Sequence, residues 1–307
     1  MKNNMLYDLI QSVKKQNLHV LNVVVRKDGS LIAKHDFEEE KPRLLWSVSK
    51  TFTSMGIGIA ESEGYFKISD KLLDYFAKDV VEITDNLRKM TIRDLLCMGT
   101  GHALCPLEKA MGENRPLDDI GRLFFEEPVI FEPGSHFVYN NAATYMLSKL
   151  ISITTGYSLR DYLMPRIFEP LGILSPKWES DVNGISFGCS GLYLTAEDLS
   201  MFGQLLLNKG VWNGKQLIPA DYIEEASKPQ IDTSKFHKYF ATADHKQGYG
   251  YQMWMNSYPG SYRMDGMYGQ YVVILPDKNA VVTYVSNEPA NMTGILELTW
   301  NTLIDKL

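Results

Sequence analysis

The strongest constraint on this chain is the order of its periodicities, with strand-like segments toward both ends and helix-like segments through the middle. Residues 4–16 place Leu6, Ile10 and Val13 at helical spacing, which predicts an amphipathic opening helix. Val20 to Val25 and Leu31 to His35 read as two strands, with a hairpin turn at Lys27-Asp28-Gly29-Ser30. A helix from about Val48 to Glu63, ended by Gly64, carries Gly56 and Gly58 in its interior. Two interior glycines cost helix stability, so they point to close packing by neighbours and a central, buried helix. From 65 to about 180 the pattern is mainly helical with long loops: Thr91 caps one helix, another runs from Ala142 to Thr155, and a third follows Ser158. After the glycines at 188 and 191, Thr195-Ala196-Glu197-Asp198 opens a further helix. Residues 228–247 read as an irregular surface loop. Tyr249 to Met255, Tyr271 to Leu275 and Val281 to Val285 read as strands, and 292–306 as a closing helix. The simplest architecture is an α/β lobe built from 1–64 and 186–307, with a helical lobe of 65–185 inserted and a site between them.

Composition excludes some functions. The net charge of -6 argues against a surface that tracks nucleic-acid phosphates. No apolar run approaches the ~18 residues needed to span a bilayer. Asp8, Gln11, Lys14 and Lys15 interrupt any secretory apolar core near the start, so a cytoplasmic location is expected. Cys97, Cys105 and Cys189 have no metal or redox spacing and read as free thiols. His35, His136, His237 and His245 make no ligand-spaced cluster, so neither a metal nor any other cofactor is expected.

Ser47-Val48-Ser49-Lys50 sits at the start of the buried helix. At spacing i, i+3 the two side chains share a helix face. A serine hydroxyl is a poor nucleophile until a base takes its proton, and a lysine serves only when burial lowers its pKa. The same residues also fit a helix-capping serine followed by a solvated lysine. A second copy of the spacing, Ser12 and Lys15, falls on a surface helix and reads as chance. Tyr139 and Asn141 form a Tyr-x-Asn just before a helix. Beside an ammonium the Tyr139 phenolate would become accessible for proton transfer, while Asn141 could hold both the lysine and a substrate carbonyl. A buried tyrosine with a satisfied hydroxyl is the alternative.

Taken with Thr91 to His102, Ile167 to Ile173, Gly188 to Leu199 and Tyr262 to Pro276, these motifs resemble the class C β-lactamase and DD-peptidase-like serine hydrolases, in order along nearly the whole chain. The resemblance implies a β-lactamase/transpeptidase-like fold, an antiparallel sheet flanked by helices. It also implies Ser47 as acylated nucleophile, Lys50 and Tyr139 as proton carriers, and Asn141 as a substrate-positioning residue. Backbone N–H groups of Ser47 and Met267, the latter following Gly266, would form the oxyanion hole.

One motif departs from the family. Where those enzymes carry a cation and a hydroxyl that help hold a substrate carboxylate, this chain has Met264 and Asp265. A thioether cannot pair with a carboxylate, and an aspartate repels it. The expected activity is therefore hydrolysis of a small-molecule or short-peptide ester or amide lacking that carboxylate, with Asp265 a candidate contact for a substrate amine or else a turn residue paired with Arg263. Competing readings are β-lactam binding or hydrolysis and a catalytically silent binding module. His102, Trp254 and Tyr268 are candidate pocket-lining or packing residues, and the oligomeric state is left open.

Overall fold

The computed structural model describes residues 5–80, 82–238 and 241–307; Asn4, where the helical spacing begins, lies outside them. Its main sheet has six antiparallel strands: β1 Val20–Lys27, β2 Ser30–Asp36, β3 Trp254–Met255, β4 Tyr262–Gly266, β5 Gln270–Leu275 and β6 Ala280–Ser286. Their order across the sheet is β2-β1-β6-β5-β4-β3, so the N-terminal and C-terminal parts of the chain meet side by side at its centre. Val23 pairs with Tyr284 and Val25 with Val282 at that junction.

The three central strands are covered on both faces, which is why they read as largely apolar runs, interrupted only by residues such as Asn22 and Thr283. Side chains alternate between two cores, as the period of a strand requires. Val23, Val25, Tyr271, Val273, Val282 and Tyr284 pack beneath the terminal helices Tyr7–Gln16 and Met292–Leu298. Val24, Val272, Ile274, Val281 and Val285 face a larger core that includes the helices Ser49–Ser62 and Ala196–Leu207. Thr91 and Thr195 each form a capping box with the aspartate three residues on.

The structure differs from the sequence pattern in several places. A tight 3-10 turn, Trp46–Val48, precedes the α-helix Ser49–Ser62, so Ser47 lies in the turn. Of Tyr249 to Met255 only Trp254–Met255 is strand, because Gln252 takes a left-handed turn with φ +60°. Two-residue strands at Arg43–Leu44 and Lys177–Trp178 flank Leu192–Leu194 in a second small sheet, too short to show a period in sequence. The closing helix ends at Leu298 and continues as a widened turn, Thr299–Leu303. In the loop 228–247, Asp244 and His245 are buried.

The helix Ser49–Ser62 is buried from Ser49 through Ala60. Gly58 is needed because a Cβ there would sit 2.4–2.7 Å from three ring carbons of Tyr222. That ring is pinned by a 3.1 Å hydrogen bond between its hydroxyl and Ser54. Alanine gains roughly 1 kcal/mol of helix propensity over glycine, whereas overpacking a core costs about 1–3 kcal/mol. Gly58→Ala is therefore expected to lower stability by about 1 kcal/mol net, read as a reduced urea midpoint at unchanged slope. An unchanged or higher midpoint would show that Tyr222 moves aside freely.

Candidate active site

Trp46 immediately precedes Ser47 in the left-handed region, φ +50°, an uncommon conformation for a bulky residue. The turn that follows starts the buried helix one residue before Lys50 and places both side chains together. Lys50 Nζ donates to Ser47 Oγ at 2.9 Å, to Asn141 Oδ1 at 2.7 Å and to the Cys189 carbonyl at 2.8 Å. Its side chain is almost fully buried, and burial pushes the amine down to about 8. The solvated-lysine alternative is thus not what the structure contains.

Tyr139 and Asn141 come from the segment leading into the helix Asn141–Thr155, whose N-cap is Asn140, accepting from the Ala143 N–H at 3.2 Å. The Tyr139 ring lies 4.9 Å from Lys50 Nζ, and its side chain borders the same cavity as Ser47. Burial pushes its hydroxyl far above the ordinary tyrosine range, and nearby Ser47 offsets only part of that. The phenolate expected to become accessible beside the lysine is therefore disfavoured. Lys50 is the group set near neutrality.

The end of β4 supplies the other wall. Gly266 approaches the nucleophile turn so closely that a Cβ would lie 2.5 Å from the Leu45 carbonyl oxygen. Ser47, Tyr139, Trp254, Asp265, Gly266 and Met267 border one cavity of about 70 Å³. A larger groove of about 650 Å³ adjoins it across Tyr139 and Phe236. Trp254 stacks on Tyr139 with ring centres 6.0 Å apart, so it lines the cavity and packs at once. Tyr268 packs on Trp46, with centroids 5.2 Å apart.

Met264 is wholly buried in the larger core, so it offers the cavity nothing. Asp265 is held from behind: Arg263 Nε donates to its Oδ2 at 2.9 Å, and His245 Nε2 lies 3.4 Å from the same oxygen. Burial works against this carboxylate, but Arg263 and His245 outweigh it and hold its pKa below the usual range. Arg263 is itself fully buried and also donates to the Asp244 and Met255 carbonyls and to Asn256 Oδ1. Asp265 thus both pairs with Arg263 and borders the cavity.

His102 does not border it. Its ring is buried between Thr100 Oγ1 at 2.8 Å and the Phe124 carbonyl at 3.1 Å, and burial lowers its pKa to about 4, marking it as a packing residue. Sequence reasoning missed His245 and Phe236, which stand in an irregular loop without periodic signal. It also missed Cys189, whose contribution is a carbonyl; the neighbouring glycines, with Gly188 at φ +66° and Gly191 at φ +91°, were the available sign of unusual backbone there. Among the described residues no group of three or more His, Cys, Asp or Glu side chains could hold a metal.

Known proteins give this arrangement a context. A Brucella anthropi D-aminopeptidase is 30% identical over 173 residues, 52% of this chain and 32% of that protein, so the match spans about a third of the longer relative. An uncharacterised protein of Alkalihalophilus pseudofirmus is 21% identical over 279 residues, 81% of this chain and 74% of that one. Among solved structures, a candidate 6-aminohexanoate-dimer hydrolase from Bacillus anthracis superposes with a TM-score of 0.80 at 25% identity, covering 97% of this chain and 81% of that one. An octameric penicillin-binding protein homologue from Pyrococcus abyssi gives 0.78 at 18% identity, covering 100% and 78%. The beta-lactamase family model matches residues 8–303, and with the fold in agreement over that span the chain belongs to the beta-lactamase family of serine hydrolases.

Proposed function

We propose that this protein hydrolyses small amides, and activated esters, through an acyl-enzyme on Ser47, with Lys50 as base and Tyr139 as proton relay. The observation that carries the reading is the 2.9 Å contact between Ser47 Oγ and an almost fully buried lysine whose pKa is near 8. In its neutral form Lys50 takes the Ser47 proton as Oγ bonds to the substrate carbonyl carbon. The Ser47 and Met267 N–H groups would meet the developing oxyanion. As the tetrahedral adduct collapses, the C–N bond breaks and the nitrogen leaves with a proton delivered from Lys50 through Tyr139. Water then attacks the ester carbonyl, giving its proton to the same relay, and the acid leaves as Ser47 is reprotonated. Asn141, with Oδ1 taken by Lys50, retains its amide N–H groups for the substrate carbonyl.

Two observations support an amide without a carboxylate near the scissile bond. Relatives named for amide hydrolysis, a D-aminopeptidase and a 6-aminohexanoate-dimer hydrolase, share the family. The cavity also presents a carboxylate at Asp265, which repels an anionic substrate group. No helix among the described residues is long and apolar enough to cross a membrane.

A fluorophosphonate should add mass to the protein at Ser47, and Ser47→Ala should abolish the adduct. Lys50→Gln should lower kcat/KM for p-nitrophenyl acetate by about 10²–10⁴-fold. Unlabelled, folded wild-type protein would refute the enzyme reading. Because the base works deprotonated, kcat/KM should fall as pH drops through about 8 and level off above it. A profile flat from pH 6 to 10 would remove Lys50 from that role. Benzylpenicillin, which carries the disfavoured carboxylate, should acylate Ser47 at least about tenfold more slowly than the neutral ester; equal rates would show that Asp265 does not select against anions.

A further inference from the structure

The small cavity beside Ser47 has an unusual lining. The rings of Tyr139, Phe236 and Trp254 line it together with the pair His245 and Asp265, and the His245 ring packs 5.0 Å from Trp254. Burial lowers the His245 pKa, with Arg263 adding to the effect, so His245 is neutral near pH 7. Asp265 is then the one formally charged side chain among the described residues lining the cavity. Resting on the proposal that Ser47 attacks a substrate carbonyl, we propose that this cavity is a subsite for a primary ammonium on the acyl part of the substrate, held by the Asp265 carboxylate and the surrounding rings.

The hydrogen bonds behind Asp265 leave it suited to this role. The Thr242 N–H donates to His245 Nδ1 at 3.2 Å, which makes that nitrogen an acceptor and puts the ring proton on Nε2, toward Asp265. Arg263 and His245 both address Oδ2. Oδ1 is the oxygen left for a ligand, on a side chain that is 15% exposed and borders the cavity. Arg263 lies outside the cavity lining, so it fixes the carboxylate without presenting its own charge to the ligand. An ammonium arriving there meets a charge-assisted acceptor inside an otherwise largely aromatic lining, where a desolvated ion pair is strong.

Size and proton balance agree. About 70 Å³ admits a small aminoalkyl group, while the adjoining groove of about 650 Å³ has room for the remainder of a peptide-like substrate. The Asp265 charge is among the influences that raise the Lys50 pKa against the dominant effect of burial. Neutralising Asp265 with a bound ammonium therefore favours the unprotonated, proton-accepting form of Lys50. Binding the correct substrate and readying the base become linked.

The test compares glycyl-p-nitroanilide with propionyl-p-nitroanilide at pH 7, a pair differing by ammonium against methyl. Wild-type kcat/KM should favour the glycyl compound by about tenfold or more, and in Asp265→Asn that ratio should fall toward one. Since this variant strands a buried guanidinium and could fail to fold, a second measurement uses wild-type protein alone. Ethylammonium chloride should slow fluorophosphonate labelling of Ser47 in a saturable way, whereas 1-propanol and equal sodium chloride should not. Ser47 labelling that ethylammonium does not slow, or equal kcat/KM for the two anilides, overturns the ammonium subsite and leaves the serine-hydrolase reading standing. Absence of any Ser47 labelling overturns both.

Discussion

The site depends on one buried ammonium. A lysine taken out of water pays a desolvation cost, and a pKa near 8 corresponds to roughly 3 kcal/mol of preference for the neutral amine relative to an exposed lysine. What makes the charged form tolerable is that Lys50 Nζ has three donors and finds three acceptors, at Ser47, Asn141 and Cys189. These acceptors belong to three separate stretches of chain: the nucleophile turn, the entry to the helix Asn141–Thr155, and the glycine-flanked segment before Leu192–Leu194. Each stretch must hold its place for the ammonium to be satisfied. The same contact that lowers the cost of burial gathers the candidate nucleophile, base and positioning amide.

The sheet fixes the remaining wall by a steric route. The pairing of β1 with β6 joins both parts of the chain at the sheet centre, and β5 and β4 follow outward in register. This carries the end of β4 against the turn that holds Ser47. Gly266 is what permits the approach, since any Cβ there would collide with the Leu45 carbonyl. Backbone rather than side chain therefore sets the distance between β4 and the nucleophile turn, which is the appropriate element to control if backbone N–H groups are to meet a developing oxyanion.

What could be read in advance follows from how each residue acts. The candidate residues Ser47, Lys50, Tyr139 and Asn141 carry their chemistry in side chains at short, fixed spacings, so their pattern is visible in sequence, and the fold gathers them around Lys50. The long central strands are buried on both faces and announce themselves as apolar runs. The two-residue strands at Arg43–Leu44 and Lys177–Trp178 are too short for any period to develop. Cys189 acts through a carbonyl that every residue type has. His245 is isolated in a polar loop, and only the tertiary fold brings it to Asp265. The Tyr139 pKa could not be inferred from a neighbouring lysine, because burial dominates it.

Asp265 shows how a motif can lose its usual residues and still hold a built site. A lone carboxylate in this position would be raised by burial until it protonated. Arg263 prevents that from two residues earlier on the same strand, entirely enclosed, with its Nη1 donating to Asn256 and two backbone carbonyls while its Nη2 has no hydrogen-bond partner among the described residues. A buried pair of this kind gains little net stability over apolar packing, and removing one partner alone costs about 3–5 kcal/mol. Its retention is therefore better explained by what it presents than by what it stabilises. In the resembling enzymes a cation at this wall faces the substrate carboxylate; here the cation lies behind the wall and a carboxylate borders the cavity. The polarity of the proposed subsite is the reverse of theirs while a serine, lysine, tyrosine and asparagine stand around it, and that reversal is the physical basis for expecting a different substrate charge on the same scaffold.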